Sequence, residues 1–267
     1  MCRMLLFAGT NETYFQTLMK ALEDVSRNDP LHEYEKKAFL DHRDGWGYID
    51  SGPDFISFNK SLLPIFDDNR KHFAGDIRML HSRNATEGEP RSILSTQPFH
   101  MAFPDNDLYF AHNGWIDKAK LSGGFTEEFL QSRSDSEVFL NLMAGMQGSI
   151  LQRFQSALER VYETDSLLSG LNIFILSVNR ETKERDLLAY SDARHFDLYH
   201  RFFFIKGTDF SAVISSSLPE SKFFPMDIMM EPLSPGIVYT VSRDGCRALA
   251  RVKGCKNAPP DEAILLK

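Results

Sequence analysis

Met1-Cys2-Arg3-Met4-Leu5-Leu6-Phe7-Ala8-Gly9 is the stretch on which the fold turns. Residues 4–8 read as a buried strand, and Cys2 stands at its start. Removal of Met1 leaves Cys2 first in the chain, with a thiol and a free α-amine on the same residue. An α-amine titrates near pH ~7.7–8.0, so a useful fraction is free base at neutral pH. Such an amine can serve its own nucleophile as general base, with no histidine partner. A lone cysteine near a terminus is more often a small buried hydrophobe, so the weight falls on the polar clusters further along the chain. The apolar run is too short for a signal peptide and ends at Gly9-Thr10-Asn11-Glu12.

Beyond the strand, Asn11 is placed to cap a helix with Tyr14, Phe15, Leu18, Met19, Leu22 and Val25 on one face. Asp44-Gly45-Trp46-Gly47 predicts a turn into a strand at Tyr48-Ile49, which 55–58 can pair with. Residues 77–82 and 108–112 are apolar runs of strand type, each ending in a polar cluster. Ser134-Asp135-Ser136-Glu137 is a capping box, and the helix after it turns Val138, Phe139, Leu142, Met143 and Met146 inward. A second amphipathic helix, with Leu151, Phe154, Leu158 and Val161 inward, should pack beside it on one face of a sheet. From Leu171 the pattern changes to strands, at 171–178, 187–191, 202–205, 212–216, 237–241 and 246–251. Helices first, strands after and no linker between predict one α+β body of stacked sheets over 1–267. A surface tail is expected at about 253–267, broken by Pro259-Pro260.

The chain has 267 residues, 42% of them hydrophobic, and can bury a sizeable core. A net charge of −7 argues against nucleic acid and anionic membrane as partners. Three cysteines give neither a disulfide framework nor a CxxC zinc pair, so Cys246 and Cys255 read as reduced thiols of a cytoplasmic protein. No run approaches membrane-spanning length. The histidines lack HExxH-type spacing and no Gly-rich phosphate loop is visible, so neither metal nor cofactor is expected.

Four polar clusters each admit two readings. In His81-Ser82-Arg83-Asn84-Ala85-Thr86, Arg83 offers a planar fork to a carboxylate, or sits in a surface salt bridge. In Ala111-His112-Asn113-Gly114, Asn113 and Gly114 form an oxyanion hole, or an ordinary Asn-Gly turn. Asp135 binds a cationic ligand, or only completes the helix start that welcomes it. His42-Arg43-Asp44-Gly45-Trp46-Gly47 is a catalytic loop, or a tight turn with an anchoring Trp46, and a structural or pocket-wall role is favoured.

Taken together with Cys2, and in this order, these clusters resemble the class-II glutamine amidotransferases of the N-terminal nucleophile hydrolase superfamily. The motifs span roughly the first half of the chain. Ser215-Ser216-Ser217-Leu218 and Leu233-Ser234-Pro235-Gly236 look like the stand-alone branch of that family, which includes γ-glutamyl hydrolases of thiol metabolism. The resemblance implies a four-layer αββα sandwich with Cys2 opening a central strand. It implies Cys2 as nucleophile and its α-amine as base, with Asn113 and Gly114 stabilising the oxyanion. Arg83 would bind the α-carboxylate of glutamine and Asp135 its α-ammonium, with Thr86 and Trp46 as further substrate-binding residues. The implied reaction is acyl transfer through a γ-glutamyl thioester. The implied partners are glutamine or a small γ-glutamyl compound and, where ammonia is passed on, an acceptor synthase.

Two positions depart from the family pattern. Asn84 stands where synthase-linked members often have Trp, and Glu87 where they often have His. Both flank the glutamine loop. No acceptor-binding domain is legible after the last strand, so hydrolysis is expected over ammonia transfer. The competing readings are an ammonia-donating subunit of a separate synthase and a non-catalytic glutamine-binding protein.

Overall fold

The computed structural model describes residues 2–35, 40–86, 88–121, 124–195 and 198–260. The elements, in chain order, are β1 (Arg3–Gly9), α1 (Glu12–Arg27), β2 (Trp46–Ser51), β3 (Ile56–Ser61), β4 (Ile77–Ser82), β5 (Phe99–Ala102) and β6 (Asn106–Ile116). Next come α2 (Lys118–Leu121), α3 (Glu127–Ser132), α4 (Asp135–Gly145), α5 (Ile150–Glu163), β7 (Leu167–Asn179) and β8 (Arg185–Tyr190). The chain continues through β9 (Phe202–Gly207), β10 (Phe210–Ser215), β11 (Met230–Pro232), β12 (Ile237–Ser242) and β13 (Gly245–Arg251).

Alternation along β1 sorts the molecule into layers. Leu5 and Phe7 face one way and pack under α1 with Phe15, Leu18, Leu22 and Val25. Met4, Leu6 and Ala8 face the other way, into a second core shared with Tyr109, Ala111, Phe174 and Leu176. That second core joins two antiparallel sheets. One runs β11-β9-β10-β1-β4-β2-β3, the other β13-β12-β8-β7-β6-β5. A third core fills the space between the second sheet and α4 and α5, built on Phe110, Phe139, Phe154 and Leu158. The result is α1, sheet, sheet, then α4 with α5: the αββα sandwich that the resemblance implies, with β1 fourth of seven strands.

Local chemistry sets the helix ends. Asn11 accepts a hydrogen bond from the Tyr14 N–H at 3.2 Å and starts α1. Ser134 and Glu137 close the expected capping box on α4, and Ser149 with Gln152 form a second box on α5. The predicted pairing of the 55–58 region with the Tyr48 strand appears as β2–β3, with Tyr48 opposite Asn59. Among the described residues no helix is long and apolar enough to cross a membrane, and all three cysteines are free.

Three expectations need correction. The strand expected at 108–112 continues to Ile116, so Asn113 and Gly114 lie within β6, paired with Asn172 and Leu171, and form no turn. The short strands β5 and β11 and helices α2 and α3 were not expected, because each is too brief to show a periodic pattern. Of the expected tail, 253–260 is described and part of it packs. Cys255 is buried with its Sγ 3.1 Å from Asp192 Oδ2, and Gly254 lies against Tyr162. Residues 261–267 lie outside the described residues.

Phe7 joins β1 to the outer helix. Its ring stacks on Phe210 and meets Phe15 edge-on, both at 5.3 Å, with no solvent exposure. Phe7→Ala should therefore cost about 3–5 kcal/mol in a urea unfolding experiment. A loss below about 1 kcal/mol would mean that β1 does not depend on α1 for its place.

Candidate active site

Side-chain parity on two strands builds the site. Cys2 precedes β1 on the side of Met4, Leu6 and Ala8, so it points between the sheets. Asn113 shares the side of Tyr109 and Ala111 on β6 and points at it from the opposite sheet. Cys2 N donates to Asn113 Oδ1 at 2.7 Å, and His81 Nε2 lies 3.3 Å from the His112 carbonyl oxygen; both contacts join the two sheets at this end. The Asn113 side chain is 1% exposed, and its Nδ2 has no partner. A buried amide donor left open is costly unless something else accepts from it.

The register Arg3↔Ser82 brings the loop after β4 alongside Cys2. Cys2 Sγ lies 3.6 Å from the Asn84 carbonyl oxygen. Asp44 fixes this loop. Its Oδ2 accepts from Ala85 N at 2.8 Å, and its N–H donates to the Arg83 carbonyl. Arg83 is 4% exposed; one Nη donates to the Pro90 carbonyl at 2.6 Å and Nη1 has no partner. That burial removes the surface salt-bridge reading of Arg83.

Asp135 begins α4 and is buried. Its Oδ2 accepts from Ile116 N at 2.9 Å and its Oδ1 from Ser136 N at 2.7 Å. Cys2, Arg83, Thr86, Gly114 and Asp135 line one cleft, together with Glu89, Ser95, Gln97, His112 and Ser136. Gly114 is required there, because a Cβ on it would meet the Gly170 carbonyl oxygen at 1.7 Å. The cleft holds about 30 Å³, room for a water.

Trp46 is a correction. Strand parity puts it with Tyr48 on the α1 side of β2, where it is 2% exposed and its Nε1 donates to Asp68 Oδ2 at 3.2 Å. It is a core residue and not a cleft wall. Glu87 lies outside the described residues. Among residues that carry no motif in the sequence, Gln97 ties the cleft together. Its Oε1 accepts from His112 N at 2.6 Å and its Nε2 donates to Ser136 Oγ at 3.3 Å. Glu89 escapes a motif-based reading too, although an acid two residues after Glu87 on the same loop is there to read.

Electrostatics decide which group can act as base. Burial pushes the Cys2 thiol up, which favours the thiol over the thiolate. The cleft histidine, His112, has its pKa lowered by burial, and its Nδ1 is engaged with Ser136 Oγ at 2.9 Å. On the opposite face of β1, Arg3, Asp29 and His42 form a fully buried group. Asp29 Oδ2 meets Arg3 Nε, His42 Nε2 at 2.9 Å and Ser217 Oγ at 3.1 Å. The Arg3 guanidinium also sits over the Tyr199 ring at 4.1 Å. This group clamps β1 immediately after Cys2. Within the His42 segment, His42 itself is buried in this group and does not line the cleft.

The buried histidines make the fold acid-sensitive. Burial lowers His42 to about 4 and His81 to about 3, below the ~6.5 expected unfolded. Between those values the unfolded chain binds more protons, so stability rises with pH. The stabilisation is complete above pH ~6.5 and drains away as pH falls toward 4. Asp29, held low despite its burial chiefly by Arg3, adds its loss only at still lower pH. Urea midpoints should fall between pH 6.5 and 4, and His81→Gln should flatten part of that slope. Midpoints constant over this window would contradict the buried neutral histidines.

No family model matches this chain, and no curated protein matches its sequence. Solved structures match in fold. The allosteric regulatory enzyme of purine biosynthesis aligns with a TM-score of 0.66 at 16% identity, covering 94% of this chain and 49% of that one. Glutamine phosphoribosylpyrophosphate amidotransferase from B. subtilis, solved with ADP and GMP, aligns with a TM-score of 0.61 at 16% identity and the same coverage. The chain therefore spans about half the length of these neighbours. The chain thus shares the αββα fold of these two structures.

Proposed function

We propose that this protein cleaves the γ-amide of glutamine, or of a small γ-glutamyl compound, through a thioester on Cys2. The observation that supports this most is the Cys2 N to Asn113 Oδ1 bond at 2.7 Å beside an unpartnered Asn113 Nδ2. Once Met1 is removed, this one side chain would orient the base and leave a donor for the oxyanion.

With Met1 removed, the α-amine takes the proton from Sγ, and the sulfur attacks the γ-carbonyl carbon. Asn113 Nδ2 and the Gly114 N–H stabilise the tetrahedral oxyanion. The α-ammonium returns its proton to the departing nitrogen, and ammonia or a larger amine leaves. A water, deprotonated by the same amine, then opens the thioester and yields glutamate and the free thiol. Arg83, with Nη1 open, holds the α-carboxylate, and Thr86 lines the same wall. Asp135 supplies negative charge at the ammonium end.

Neighbours twice this length include an amidotransferase, which favours one second reading: this domain supplies ammonia to a separate acceptor synthase. Turnover distinguishes the two. Hydrolysis by this protein alone, over a panel of γ-glutamyl amides, supports the first; strict glutamine use that rises sharply with one co-purifying synthase supports the second.

Cys2→Ala should abolish hydrolysis without unfolding, since it removes the sulfur and little volume. Asn113→Ala should cut kcat about 10²–10³-fold. Arg83→Lys keeps the charge, loses the fork, and should raise KM about tenfold or more. Full activity of Cys2→Ala would overturn the mechanism, and an unchanged kcat in Asn113→Ala would remove Asn113 from the oxyanion hole.

A further inference from the structure

Glu89 is the carboxylate of the cleft with an unsatisfied acceptor. It is 12% exposed; Oε1 meets Lys118 Nζ at 3.2 Å, and Oε2 is buried with no partner. The turn that aims it is local. Gly88 has φ +86°, a conformation that favours glycine, and Glu89 N donates to the Thr86 carbonyl at 3.0 Å. Glu89 thereby returns to the cleft wall beside Arg83 and Asp135.

The cleft holds two complementary vacancies. Arg83 Nη1 is a buried donor without an acceptor, and Glu89 Oε2 a buried acceptor without a donor. An α-amino acid head group presents one carboxylate and one ammonium, and fills both. Asp135 has less capacity left, since Oδ1 already accepts from Ser136 N and Oγ and Oδ2 from Ile116 N, whereas Glu89 Oε2 accepts from nothing. Burial raises the Glu89 carboxyl, and the negative charge of Asp135 raises it further. Two carboxylates held in one cleft are relieved by a cation placed between them.

We infer that Glu89 is the residue that reads the α-ammonium of the substrate, so that the site selects γ-glutamyl compounds whose α-amine is free. Resting on the amide-hydrolase reading above, this adds a specificity determinant to it. Asp135 then acts as the fixed charge behind the ammonium and Glu89 as its direct hydrogen-bond acceptor. γ-Glutamyl compounds acylated on the α-nitrogen lose that charge and are rejected, whatever the size of the leaving amine.

The test compares glutamine with glutaramate, the analogue that lacks the α-amine. Wild type should prefer glutamine. Glu89→Gln should raise KM for glutamine about 10- to 100-fold, with kcat little changed and glutaramate barely affected. Glu89→Asp should restore part of the preference. Lys118→Met, which removes the Glu89–Lys118 ion pair, should leave the preference in place. A preference that survives Glu89→Gln overturns the inference. So does an equal loss on both substrates in Glu89→Gln and Lys118→Met, the result expected if Glu89 only anchors the loop. If wild type hydrolyses neither compound, the amide-hydrolase reading fails. Calorimetric binding of glutamine to Cys2→Ala, against Cys2→Ala with Glu89→Gln, then still decides the role of Glu89: tenfold weaker binding supports it, and equal binding overturns it.

Discussion

A single hydrogen bond, from Cys2 N to Asn113 Oδ1, ties the function to the fold. It spans the gap between two sheets at the end where β1 begins and β6 finishes, and the rest of the structure serves to hold its two ends. On one side, β1 is flanked by β10 and β4 and covered by α1, so its start has little freedom. On the other, β6 is zipped to β7 from Asn106 to Ile116, which fixes Asn113 in a strand. The buried Arg3–Asp29–His42 group holds the same strand from behind. A buried charge pair loses several kcal/mol when one member is removed, because the other is stranded. That cost locks residue 3 in place and, through it, residue 2.

The layered architecture was legible in the sequence because burial on both faces leaves a plain trace. Residues 4–8 are a continuous apolar run, and α1, α4 and α5 show their caps and faces in the residue pattern. Less legible was the end of β6. His112-Asn113-Gly114 looks like the close of a strand, since polar residues and an Asn-Gly pair usually mark one. The strand continues because these residues have partners in the third dimension: the His112 N–H with Gln97 Oε1, the His112 ring with Ser136 Oγ, and the Asn113 side chain with Cys2 N. Trp46 was misplaced for a related reason. In Gly-Trp-Gly it reads as a residue displayed by a turn, but parity with Tyr48 sends it under α1.

The site residues fall into two groups by how they announce themselves. Cys2, Arg83, Asn113, Gly114 and Asp135 stand in clusters whose order carries information, and the fold gathers Cys2, Arg83, Gly114 and Asp135 around one cleft with Asn113 bonded to Cys2. Glu89 and Gln97 carry no motif. Their importance comes from where Gly88 and the Asp44-anchored loop put them, which is a property of the folded chain. Open donors and acceptors in a buried cleft mark these positions better than residue type does.

The central claim is that the α-amine and the thiol of Cys2 work as one catalytic unit. Rapid acid quench of the protein during turnover of glutamine, followed by intact mass and peptide mapping, tests it most directly. The account predicts protein without Met1 that bears a single γ-glutamyl group on Cys2. Full turnover by protein that retains Met1, or an acyl group on any other residue, would contradict it.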